Sequence, residues 1–175
     1  HAPRMAEERV PAGSPTEPAG LFRDAMSALA SGVAVVTARR ADGLPAGLLA
    51  TSIAAYSAAP PSIMVSVAHA SRSHAVLVEH AGLFGVHLLA RNQEETARVF
   101  ASRSDDKYAE LDWEWDHEVP RLAGAVSYLR CARSAVFDHY DHSVLIGDVL
   151  DGHHEGGEPL LWVRRRMDWR LSPEG

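Results

Sequence analysis

The stretch from Gly47 to His74 limits what this chain can become. It opens with small, apolar and hydroxyl-bearing residues and carries no charge from Gly47 to Ser57. Pro60 and Pro61 then stop any helix and force an extended entry to the next segment. From Ser62 to Val67 the alternation puts Ile63, Val65 and Val67 on one face, which is the period of a strand. The strand runs out into Ala68–His74, a turn rich in hydroxyls with one arginine, Arg72. Two strands of small side chains let a flat ligand approach the backbone, and a Ser/Arg loop at a strand end can hold a phosphate. A buried hairpin with an ordinary polar loop fits the same residues, and composition alone leaves both readings open.

The rest of the chain reads as strands with a few helices. Residues 1–19 are rich in Pro, Ala, Gly and Glu without periodicity and are expected to form a mobile arm; residues 20–175 form the domain. Leu21–Ala30 sets Leu21, Phe22, Ala25, Met26 and Leu29 on one helical face, expected to enter the core, and Ser31-Gly32 ends it. Val33–Thr37 is a β-branched strand, and Ala41-Asp42-Gly43 turns it into the Gly47 stretch. A short helix is predicted over Arg72–Glu79 with Ser71 as N-cap, aiming free N–H groups at an anion. A strand follows over Leu83–Leu89, then a helix over Asn92–Ala101 capped by Asn92. Ser102–Asp112 is a charged loop. Trp113 and Trp115 mark a strand edge, and Pro120 and Gly124 punctuate the connection. Strands are predicted over Ala125–His139, Val144–Leu150 and Leu160–Val163, the last followed by a solvated Arg164-Arg165-Arg166. Closely spaced strands with only three helical patterns predict a mainly β protein, a β-barrel with added helices.

Several classes of function lack support. The 175-residue chain has a formal charge of −6, which gives nucleic acid no electrostatic footing. No apolar run has the length of a membrane span and no signal-peptide pattern appears, so no membrane partner is expected. The lone Cys131 excludes an internal disulfide and fits a cytoplasmic protein; it reads as a small buried hydrophobe. Glycine fingerprints for dinucleotides, a phosphate-binding G-x-x-x-x-G-K and a nucleophile elbow are all missing. Ten histidines are present, yet no metal site is expected: His139 and His142, three apart on a strand, would point to opposite faces.

The order of Gly47…Thr51-Ser52, Ser57-x-x-Pro60-Pro61 and Ser71-Arg72-Ser73-His74 resembles the short-chain flavin reductases. These are the small reductase components of two-component flavin-dependent monooxygenases. The likeness continues through Asp106-Lys107-Tyr108-Ala109, Leu111-Asp112-Trp113 and Asp141-His142-Ser143…Gly147-Asp148-Val149, covering about Leu21 to Leu171. It implies a split β-barrel with Greek-key connections, a homodimer, and a flavin-dependent monooxygenase as partner. It also implies reduction of FAD or FMN by NADH or NADPH; a non-catalytic flavin-binding module on the same fold stands beside that reading.

Site residues follow by the same resemblance. Leu49, Ala50, Thr51 and Ser52 would line the flavin ring, with Val67 and Ala68 against the ribityl chain. Ser71, Arg72, Ser73 and His74 would hold the phosphate end, with Arg103 and Lys107 adding charge and Tyr108 packing on the flavin. Asp141 and His142 would seat the nicotinamide, and His142 is the candidate catalytic residue. Relatives carry Thr at Leu49, Asn at Ala68 and a small residue at Tyr140. The missing polar contacts suit a reductase that releases its product.

Overall fold

The computed structural model describes residues 17–172. Two α-helices, α1 (Pro18–Ser27) and α2 (Glu94–Ala101), accompany eleven strands among the described residues. The strands are β1 (Ser31–Gly32), β2 (Ala34–Arg39), β3 (Pro45–Ala50), β4 (Ile53–Ala58), β5 (Pro61–Ala68), β6 (Leu83–Leu88), β7 (Trp113–Asp116), β8 (Val119–Leu122), β9 (Ser127–His139), β10 (His142–His154) and β11 (Leu161–Trp162). Seven of them form one antiparallel sheet in the order β3-β2-β6-β9-β10-β5-β4. β7 and β8 make a separate hairpin, and β1 pairs with β11.

That order bends the sheet. β3 and β4 lie at its two ends, yet only Thr51 and Ser52 separate them in the chain. Laid flat, seven strands would hold those ends roughly 29 Å apart. The linking residues span roughly 10 Å. The sheet therefore curls until its ends approach, and Leu48 and Ala50 of β3 share a core with Val65 and Val67 of β5.

β2 is buried on both faces because it serves two cores. Ala34, Val36 and Ala38 enter the cluster inside the curled sheet with Phe84, Val86, Cys131 and Leu145. Val33, which precedes β2, and Val35 point the other way, into a second cluster with Leu89, Ala97, Phe100 and Tyr108. The two-residue period of a strand assigns each side chain to its core. Cys131 is fully buried, and burial pushes its thiol up to about 12. Gly147 lies where a Cβ would come within 2.3 Å of the Phe84 ring, so β10 can cross that core only without a side chain there.

Several expectations need correction. The expected arm lies largely outside the described residues, but Pro18 and Ala19 already belong to α1. Proline suits the first turn because its missing N–H needs no partner there. The apolar face expected over Leu21–Ala30 is not in the core of this chain: Leu21, Phe22 and Met26 of α1 are 63%, 64% and 47% exposed, and Leu29, past the helix end, is 60% exposed. The uncharged Gly47 run is two strands, broken at Thr51-Ser52. The helix expected over Arg72–Glu79 is a π-helical turn at Val76–His80, and Ser71 caps nothing. Its hydroxyl instead accepts from the Ser73 N–H inside the loop at 3.3 Å. α2 begins at Glu94 because Arg91–Gln93 forms a 3₁₀ turn, tied by the Gln93 carboxamide accepting from the Ala90 N–H at 2.9 Å. Pro120 lies within β8, where its carbonyl accepts from buried Thr37 Oγ1 at 2.7 Å. His139 and His142 face each other as cross-strand partners, since Tyr140-Asp141 is a two-residue turn between them. No helix among the described residues is long and apolar enough to cross a membrane.

Candidate functional site

An open cleft of about 1030 Å³ lies between β3, the loop after β5 and the charged loop after α2. Its floor is the small-residue end of β3, Pro45 to Gly47, and Trp113 stands at its edge. Gly47 is required: a Cβ there would come within 2.7 Å of Phe100 and 3.0 Å of the Tyr108 hydroxyl. Tyr108 holds this wall from behind. It is buried, donates its hydroxyl to the Ala46 carbonyl at 2.7 Å, and meets Phe100 and Trp113 edge-on.

One end of the cleft is charged, with Arg72 and Lys107 set beside Asp105 and Asp106. Arg72 reaches across to the charged loop, where it pairs with Asp105 at 2.7 Å and donates to the Arg103 carbonyl. A guanidinium has five N–H donors, so these bonds leave others for a ligand. Lys107 donates to the Phe100 carbonyl at 2.9 Å. Its partial burial, and then the nearby Arg72 charge, hold its ammonium below the usual lysine range. Ser73 is buried and donates its hydroxyl to the Gly47 carbonyl at 3.1 Å, fastening the loop to β3.

The other side of that loop meets the β9–β10 turn. The His69 N–H donates to the Asp141 carbonyl at 2.8 Å. His74 Nε2 donates to Ser143 Oγ at 2.7 Å, and His69 Nε2 approaches the same oxygen at 3.2 Å and Asp138 Oδ1 at 3.4 Å. Ser143 in turn donates to Asp138. That bond, and then the histidines, hold the Asp138 carboxyl below the usual range. In the turn itself, His142 Nδ1 donates to Asp141 Oδ1 at 2.8 Å, which lowers the Asp141 carboxyl. Tyr140 takes φ 51°, a left-handed conformation that favours glycine, and its ring is exposed.

The expected residues thus divide into two groups. Arg72, Ser73, Lys107 and Tyr108 share the cleft, and Arg103 joins them through its backbone. Thr51 and Ser52, Ala68, and Asp141 with His142 lie together at one end of the sheet: the Ser66 N–H donates to the Ser52 carbonyl, and Ala68 pairs with His142. Leu49 is half-buried; Ala50 and Val67 bury their side chains, which leaves only their backbone to offer a ligand. Ser71 and His74 make contacts within the loop and to Ser143. Asp105 and Asp138 were missed. Asp138 was findable, because a two-residue Tyr140-Asp141 turn puts it opposite Ser143. Asp105 was not, because its pairing with Arg72 is set by tertiary contact alone.

Residues 26–169 match the family described as flavin reductase like domain. An FMN reductase (NADH) from Agrobacterium fabrum is 36% identical over 81% of this chain and 80% of its own length. The reductase component of a flavin-dependent trigonelline monooxygenase from Acinetobacter baylyi is 35% identical over 82% of this chain, which spans 46% of that longer protein. An NADH:FAD oxidoreductase from Streptomyces globisporus, solved with NAD and FAD fragments, superposes with a TM-score of 0.83 at 29% identity. That match covers 92% of this chain and 96% of the other.

Proposed function

The chain belongs to the flavin reductase-like domain family, and we propose that it uses NADH to reduce a free flavin, FAD or FMN, which it passes to a separate flavin-dependent monooxygenase. The family match over residues 26–169 carries this reading. Relatives of both flavin preferences occur, one named for FMN and one for FAD. The assay below, run with NADPH in place of NADH, tests the alternative donor.

The residues present fit a flavin. The cleft has the size of a cofactor site, the basic side chains of Arg72 and Lys107 at one end for phosphate, and a floor of small residues. When bound, the flavin supplies a hydride acceptor and NADH the hydride donor. The chain's own part is orientation. Thr51 and Ser52 offer hydroxyls and backbone groups at the β3–β4 corner. His142 is held by Asp141 through Nδ1, which leaves Nε2 facing outward to meet a nicotinamide carboxamide. Hydride transfer needs no general base, so binding and alignment suffice as its role.

The cleft and the His142 turn lie on opposite sides of the Ser/Arg loop. A second copy of the chain, set against the curled sheet as in a split barrel, is the arrangement that would bring such surfaces onto one ligand. The exposed apolar face of α1 supports a homodimer.

The test is NADH oxidation by the purified protein with and without added FMN or FAD. Flavin-stimulated turnover is expected, together with flavin-dependent oxidation by an added monooxygenase component. Flavin binding without NADH turnover would leave a flavin-binding module and overturn the proposal.

A further inference from the structure

Building on the flavin-reducing function proposed above, we propose that Asp105 competes with the flavin phosphate for Arg72 and so sets how tightly that end of the flavin is held. Asp105 lies on the charged loop after α2 and Arg72 on the Ser/Arg loop, and both line the open cleft. Among the described residues the Asp105 carboxylate has one partner, Arg72 Nη1 at 2.7 Å. Its neighbour Asp106 is engaged differently. Asp106 Oδ1 accepts from the Tyr108 N–H at 3.0 Å, a bond within the loop itself. The Ser104 N–H donates to Ser102 Oγ at 3.2 Å, and Ser104 Oγ to the Asp106 carbonyl at 3.1 Å. The loop thus has supports of its own apart from the Asp105 side chain.

The donors of Arg72 decide what an arriving phosphate meets. Nη1 is held by Asp105, and Nη2 donates to the Arg103 carbonyl. A two-point grip on a phosphate needs two parallel N–H donors. The pair at the end of the guanidinium, Nη1 with Nη2, is already engaged, so a phosphate takes it only by displacing the carboxylate. On the donors left over, a phosphate sits beside a like charge and is repelled. The ion pair itself resists little, because the Arg72 and Asp105 side chains are 58% and 97% exposed. Asp105 can swing aside into water, and the phosphate then meets a guanidinium that the Arg103 carbonyl still orients.

Asp105 opposes the phosphate end alone, since a flavin without phosphate brings nothing that competes for Arg72. The opposition is strongest for a phosphate monoester, which carries about −1.5 to −2 charge near pH 7. The grip on the phosphate is therefore weaker than Arg72 by itself would give. That weakening suits a reductase whose product leaves for a second enzyme. As the phosphate departs, the carboxylate returns to Nη1, and no guanidinium donor is left bare in the cleft.

The experiment is fluorescence titration of the purified full chain with FMN and with riboflavin, which has the same ring and ribityl chain but no phosphate. Asp105→Asn should tighten FMN binding about fivefold, the effect of one unit charge at about 4 Å in water, and leave riboflavin affinity unchanged. Glu110→Gln removes the same charge from an exposed position of that loop outside the cleft, and should change neither affinity. Arg72→Ala should weaken FMN binding and spare riboflavin, which locates the phosphate independently of Asp105. Circular dichroism verifies that each variant folds. Unchanged FMN affinity in Asp105→Asn, with Arg72→Ala still weakening it, overturns the competition and leaves the proposed function standing. Equal tightening of riboflavin points to the ring rather than the phosphate, and equal tightening by Glu110→Gln points to net charge; either overturns it. So does an Arg72→Ala variant that binds FMN like the parent chain. If neither flavin binds and NADH is not oxidised, the proposed function fails and Asp105 loses its role with it.

Discussion

His87 is fully buried in β6, and both ring nitrogens are used. Nδ1 donates to the Val35 carbonyl at 3.2 Å, while Nε2 accepts from the Leu122 N–H at 3.0 Å. Protonation would break the second bond and place a charge in the core. Burial accordingly lowers its pKa from 6.5 to about 4. Between those values the unfolded chain binds a proton that the folded chain does not, so stability falls as pH drops from about 6.5 to about 4, by about 3 kcal/mol in all. Urea unfolding at a series of pH values should show this slope, and His87→Gln should flatten it. An unchanged slope would place the titration elsewhere.

Two short elements control what the sheet can hold. The Ser/Arg loop fixes Arg72 by Asp105 and Ser73 by the Gly47 carbonyl, so the two residues act differently. Arg72→Ala should weaken flavin binding by about 1–3 kcal/mol, the scale of charge-assisted hydrogen bonds. Flavin titration by fluorescence measures it; unchanged affinity would hand the phosphate to Lys107. The β9–β10 turn carries His142. His142→Ala is expected to raise the KM for NADH while flavin affinity stays near that of the parent chain, with kcat falling too if the contact tightens during transfer. Parent-like kinetics in both parameters would leave His142 as a polar turn residue.

For the whole molecule, the exposed stripe on α1 is the main unbalanced surface. Leu21, Phe22 and Met26 follow helical spacing and, with Leu29 just past the helix end, point away from this chain's core; Tyr56 on β4 and Phe137 on β9 are exposed too. Single exposed apolar residues are ordinary, whereas a contiguous stripe marks an interface. Light scattering at micromolar concentration should report a dimer, and Phe22→Asp should shift it toward monomer and reduce turnover with it. A monomeric mass for the parent chain would contradict the shared-site arrangement.

Much of this was legible in the residues alone. Alternation gave β5 and β6, because a strand repeats every two residues, while β-branching gave β2 and long apolar-rich runs gave β9 and β10. The order Gly47…Thr51-Ser52, Pro60-Pro61, Ser71–His74 and Asp141-His142-Ser143 pointed to the family. Helical periodicity found the apolar face of α1 but could not say what it faces, since the pattern is the same whether the covering surface belongs to this chain or to another. The break at Thr51-Ser52, which curls the sheet, was invisible because both sides of it are equally small and apolar. Contacts far apart in sequence were beyond reach for the same reason: Arg72 finds Asp105, and His69 and His74 find Asp138, only once the strands are in register. Sequence pattern records which side chains seek burial or a partner, and the tertiary structure decides which partner each one meets.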